Sequence, residues 1–169
     1  MSRTSLLKRA SRDAVLAVAV AGAARVANAQ ASQRGQPKTP YNVHEFAKLS
    51  WLVGTWKGTS PGAPTIYETC RFSSDSTIEI TYHADSASGR QSATGRLYLS
   101  VGRIFHTLGS DRWGAIRLDS TGVYFVPQVN AHNTYAWVRK SPNEWMSTLR
   151  TGMGGHESVS VYDMQRIGP

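Results

Sequence analysis

Between residues 53 and 167 the apolar side chains of this 169-residue chain recur at every second position, in short runs separated by turn residues. The runs are 53–59, 66–73, 76–84, 94–101, 103–109, 112–119, 122–127, 133–140, 143–150 and 158–167. Each is rich in Thr, Val, Ile, Tyr, Phe or Trp, which suit a pleated, half-buried surface. In Thr77–His83, Ile78, Ile80 and Tyr82 fall on one face and Glu79, Thr81 and His83 on the other. In the last run Val159 and Val161 oppose Tyr162, Met164 and Arg166. Ser74-Asp75, Gly102, Ser110-Asp111, Ser120-Thr121-Gly122 and Pro142-Asn143 separate runs with residues that favour tight turns. Turns this short exclude parallel pairing, which needs a crossover of roughly a dozen residues. A long antiparallel meander curls, and closing it removes its exposed edges. The expected fold is therefore all-β, an up-and-down barrel of about ten antiparallel strands.

The N-terminal part follows other rules. Arg3, Lys8, Arg9 and Arg12 precede an apolar stretch, Ala14 to Ala24, and small residues at Ala27 and Ala29. This order predicts a signal peptide over 1–29, cleaved after Ala29, and an exported, periplasmic or secreted protein. The apolar stretch is shorter than the roughly 20 residues of a membrane span, so stable membrane insertion is not expected. A polar leader covers 30–43, and the barrel domain 44–169. Phe46, Leu49 and Leu52 then predict a short amphipathic helix over His44–Leu52, with Asn42 as its N-cap and Gly54 ending it.

Charge narrows the partners. The full chain carries +8, but five of its bases and one acid lie in residues 1–29, leaving a net +4 for the remainder. Arg90, Arg96, Arg103, Arg112 and Arg117 come singly between other residue types, so no basic stripe for nucleic acid is expected. A lone cysteine, Cys70, closes no internal disulfide and reads as a small buried hydrophobe.

Two end motifs carry a resemblance. The opening Leu49-Ser50-Trp51-Leu52-Val53-Gly54-Thr55-Trp56 and the ending Tyr162-Asp163-Met164-Gln165-Arg166 resemble an uncharacterised group of secreted bacterial proteins. The Gly54-Thr55-Trp56 motif after a short helix also resembles the calycin superfamily: lipocalins, fatty-acid-binding proteins, avidins and nitrobindins. The resemblance implies that Trp56 lies across a closed barrel end and packs against Arg166. Nitrobindins add Gly58 and Pro64-Thr65-Ile66 to the likeness, although Ser60 stands where another glycine would be expected. Their resemblance implies haem held by a histidine about seven residues before the closing arginine. That position here is Val159, and the nearest histidine is His156, in a glycine-rich loop.

The residues themselves offer little catalytic chemistry. No G-x-S-x-G, H-x-H or HExxH spacing occurs, and the acids Glu68, Glu79, Asp119 and Glu157 are scattered. No catalytic residue, metal site or cofactor is expected, with haem on His156 as the alternative. Aromatic residues on the later strands are the stronger lead. His106 shares a face with Ile104 and Leu108, Tyr135 with Trp137, and Trp113 with Arg117. His106, Trp113, Arg117, Tyr135 and Trp137 are thus the candidate ligand-binding residues, for a small hydrophobic or amphiphilic molecule. Two other readings remain: nitrogen-oxide chemistry on haem in the nitrobindin manner, and a fully packed barrel serving as an interaction or inhibitor module.

Overall fold

A computed structural model describes residues 40–152 and 157–168. The expected signal segment, residues 30–39 of the leader and His156 lie outside the described residues. The chain begins with a four-residue helix, α1 (Val43–Phe46), followed by a 3₁₀ helix over Ala47–Leu52. Ten strands follow: β1 (Gly54–Thr59), β2 (Ile66–Ser74), β3 (Thr77–His83), β4 (Gln91–Ser100) and β5 (Arg103–Leu108) form the first half. The second half comprises β6 (Asp111–Leu118), β7 (Gly122–Val129), β8 (Asn133–Ser141), β9 (Glu144–Thr151) and β10 (Ser158–Gly168). Each strand pairs antiparallel with its neighbours in sequence, and β1 pairs with β10 to close the barrel. Among the described residues, no helix is long and apolar enough to cross a membrane.

The helical segment differs from the expected continuous helix. Asn42 does cap it: its side chain accepts from the Glu45 N–H at 3.0 Å, while Glu45 accepts from the Asn42 N–H at 3.2 Å. After Phe46, however, the backbone tightens. Phe46, Leu49 and Leu52 are spaced by three, which matches the three residues per turn of a 3₁₀ helix and stacks them on one face. All three are buried. Nor does Gly54 end the helix. Val53 is the extended residue that leaves it, and Gly54 opens β1 with φ +136°.

The helical segment plugs the end of the barrel where β1 starts and β10 finishes. Phe46 meets Phe72 edge to face, and the Tyr41 N–H donates to Gly102 O in the β4–β5 turn. Trp56 lies across this end. Its indole N–H donates to Leu52 O at 2.7 Å, and the Arg166 guanidinium covers its ring at 4.2 Å. The same guanidinium donates to Val53 O at 2.7 Å and Trp51 O at 3.3 Å. One side chain thus satisfies carbonyls at the end of the 3₁₀ helix that lack intrahelical partners. Gly54 makes room for it, because a Cβ there would stand 1.9 Å from Arg166 Nη1. The opposite end is framed by the β1–β2, β3–β4, β5–β6 and β7–β8 connections.

Alternation places the core inside as period-two reasoning requires: Ile78 and Ile80 on β3, Leu97 on β4, Phe125 on β7 and Met164 on β10 are all buried. Register shifts interrupt it at several places, and one of them redirects an expected site residue. Between Ala115 and Arg117 the register of β6 against β7 shifts, so a bulge consumes one residue. Trp113 and Ala115 therefore face inward while Arg117 turns out, against the expectation that Trp113 and Arg117 share a face.

Candidate functional site

Four of the five expected ligand-binding residues meet inside the barrel. His106 from β5 stacks on Trp113 from β6, with ring centroids 5.5 Å apart and planes at 24°. Trp137 approaches the imidazole at 5.2 Å and Tyr135 at 5.7 Å, both edge-on. The Tyr135 hydroxyl and His106 Nδ1 share a hydrogen bond. All four residues are buried. Each arrives by strand parity: residues two apart on a strand point to the same side, and closure makes that side the interior.

Arg117 does not join them. Turned outward by the bulge, its guanidinium sits 3.8 Å over the Tyr124 ring and pairs with Asp119 at 2.9 Å, largely in solvent. It offers no anchor to an interior ligand.

The structure adds residues that motif reasoning passed over. Phe125 stacks on Tyr135 at 4.7 Å. Trp145 touches Trp137, Trp56 and Trp51 at 5.7–6.0 Å, so aromatic rings run unbroken from the plug to His106. Glu68 on β2 is an interior acid, only 4% exposed. Its parity with Ile66 and Cys70 was the available signal, in a run whose alternate residues face inward. The Cys70 thiol donates to Glu68 Oε1 at 3.8 Å. On β3, Tyr82 pairs in register with Glu68.

Gly95 on β4 links these groups. A Cβ there would lie 3.2 Å from His106 Nε2, 3.5 Å from the Tyr82 ring and 2.8 Å from Thr107 O. The missing side chain lets the imidazole and the phenol pack directly against the β4 backbone. His106 Nε2 lies against this glycine, buried and without a hydrogen-bond partner among the described residues. An unpaired buried nitrogen costs roughly 1–3 kcal/mol, so a polar atom placed against it is favoured.

Burial sets the charge states. Desolvation lowers the His106 pKa to about 3, so the ring is neutral near pH 7 and too weak a base to take up protons there. Burial raises Glu68 to about 7, with the Cys70 hydrogen bond opposing the shift. Burial also raises Cys70, Tyr82 and Tyr135 well above their ordinary values, with the charge of Glu68 adding to each. The site is therefore a buried aromatic cluster with a neutral imidazole and one acid poised near neutrality.

This cluster does not suit haem among the described residues. Val159, the position the nitrobindin likeness assigns to the iron ligand, is 48% exposed. His106 has its ring face covered by Trp113, and its Nε2 points at the β4 wall, where a macrocycle would meet backbone. Among the described residues, no three His, Cys, Asp or Glu side chains converge as metal ligands. No protein-family model matches this sequence, and no curated protein matches it.

Proposed function

We propose that the barrel is an exported binding module that holds a small amphiphilic molecule inside the aromatic cluster. The observation that carries this reading is His106 Nε2, buried and unpartnered among inward-facing aromatic rings. The ligand's apolar body would lie against Trp113, Trp137 and Phe125, and its polar head on the imidazole. Apolar walls with one or two placed polar groups are the usual make-up of a small-molecule site. His106 supplies either a donor or an acceptor, because Tyr135 can take the complementary role at Nδ1. Export follows from the signal-type order of residues 1–29.

The competing reading is a packed barrel that works through its surface, favoured by ring contacts as close as the 4.7 Å of Phe125 on Tyr135. Titration with 1-octanol, followed by tryptophan fluorescence, separates the two. Trp113 and Trp137 belong to the cluster, so occupancy alters their emission saturably. His106→Phe should weaken that binding about tenfold, the worth of one hydrogen bond of roughly 1.4 kcal/mol. No saturable change with 1-octanol, together with no co-purified molecule in native mass spectrometry, would establish the packed barrel instead.

A further inference from the structure

The outer face of the barrel gathers arginines that lie apart along the chain. Register sets Arg96 of β4 opposite Thr107 of β5, and Thr107 opposite Arg112 of β6. In the next outward row Tyr98, Phe105 and Gly114 stand opposite one another on the same three strands. These positions face outward because Leu97, His106 and Trp113, which alternate with them, are buried inside.

Two guanidiniums converge on the Phe105 ring. Arg103 lies 5.0 Å from its centroid and Arg112 5.4 Å, so one ring attracts both cations. Gly114 lets Arg103 lie down on the sheet, since a Cβ there would stand 3.4 Å from Arg103 Nη2. That nitrogen donates to Gln128 Oε1 at 3.4 Å, and Tyr98 packs against Phe105 at 5.5 Å. The pair is thus held in place by a ring, a glycine and an amide.

Neither cation has a counter-ion. Among the described residues the ion pairs are Arg71–Glu79, Arg117–Asp119 and Lys140–Asp163. Glu79, opposite Arg96 in register, is therefore engaged by Arg71. Asp111, beside Arg112, has the inward parity of Trp113. Arg103 Nε and Arg112 Nε are both buried without a hydrogen-bond partner.

Two unpaired like charges on one ring repel each other, and a dianion between them turns that repulsion into attraction. A guanidinium presents its N–H groups as a planar fork that matches two oxygens of a phosphate. The next strand, β7, carries no basic residue, so the patch is a spot and not a track for a polyanion. We propose that the outer face of β4–β6 is a phosphate site, where Arg103 and Arg112 hold the phosphate group of a small soluble molecule beside Phe105. It stands independently of the interior site, whose residues lie on the other side of the sheet.

Calorimetric titration of the full chain with inorganic phosphate, near neutral pH and at low salt, tests this. Saturable binding at one site is expected. Arg103→Gln and Arg112→Gln should each weaken it about tenfold or more, the loss of one charge-assisted contact. Arg112→Lys should restore only part, because an ammonium lacks the fork. Arg71→Gln, which removes a surface charge already paired with Glu79, should bind as the parent does. Phosphate should also raise the urea midpoint of the parent above that in chloride of equal ionic strength, and leave the double glutamine variant unmoved. A cooperative transition in that variant shows that it is folded. Absence of saturable binding, binding that survives in the double variant, or an equal loss in Arg71→Gln would overturn the site. Protein that sediments with phosphatidic acid vesicles but ignores inorganic phosphate would overturn the soluble ligand in favour of a lipid headgroup.

Discussion

Arg166 lies with its guanidinium 4.2 Å above the ring of Trp56, the residue it opposes in the β1–β10 register, and so joins the last strand to the first. The same group holds the Val53 and Trp51 carbonyls, fixing the helical plug to the barrel. This pairing is a closure device: it unites the two ends of the chain's meander and the plug that covers them.

Replacing Arg166 by Leu should therefore cost about 3–4 kcal/mol, combining a lost cation–π contact with two buried carbonyls left unpaired. Lysine should recover only a small part, since an ammonium cannot span both carbonyls while covering the ring. Gly54→Ala should also destabilise, because its Cβ would stand 1.9 Å from Nη1 and its φ of +136° disfavours a side chain. The double variant should be clearly less destabilised than the sum of the singles, since the clash vanishes with the arginine. Urea unfolding of the parent and the four variants measures all of this.

Two interior groups, His106 and Glu68, push stability in opposite directions with pH. His106 has its folded pKa lowered from 6.5 to about 3, so between these values the unfolded chain binds the extra proton and stability rises with pH. Glu68 has its folded pKa raised from 4.5 to about 7, so the folded chain binds the extra proton there and stability falls with pH. Across roughly pH 4.5 to 6.5 the two slopes should cancel, leaving a plateau. Removing either group should expose the other's slope, of about 1.4 kcal/mol per unit. Glu68→Gln should gain stability with rising pH over this range, and His106→Phe should lose it. Parallel flat profiles in both variants would contradict these charge states.

Arg117→Ala should change stability by less than about 1 kcal/mol, because the Asp119 pair and the Tyr124 contact are largely in solvent. It should leave 1-octanol binding unchanged. A substantial loss of binding would mean that the outward turn after the bulge does not describe the protein in solution.

Cys70 should be inert in the native protein. It is 2% exposed, and burial raises its thiol well above the ordinary value, which suppresses the reactive thiolate. A disulfide reagent such as Ellman's should label it only at the rate of unfolding, and rapidly in urea. Fast labelling under native conditions would place the sulfur on an accessible path.

Much of the fold was legible because it rests on local rules. Period two marked the strands, Ser, Asp, Gly and Pro marked the turns, and short turns forced antiparallel neighbours. The meander then left closure as the natural way to remove two edges. Even the plug was visible in the spacing of Phe46, Leu49 and Leu52, although a spacing of three belongs to a 3₁₀ helix and not to the α-helix it suggested. Parity likewise put His106 on one face with Ile104 and Leu108, and Tyr135 with Trp137, and both faces turn inward because each lies within an unbroken stretch of strand.

What alternation could not carry was the bulge after Ala115. A bulge inserts one residue without changing composition, so Arg117 keeps the sequence parity of Trp113 while its side chain crosses to the other face. Nor could spacing along the chain reveal that Glu68 and Tyr82 border the same cluster as His106 and Tyr135. Those residues come from β2, β3, β5 and β8, and they meet only because the sheet closes. The sequence by itself determined the strands, their order and, away from the bulges, which residues of a strand share a face. The tertiary structure decided which inward residues meet, because curvature, register and closure are set by the whole sheet at once.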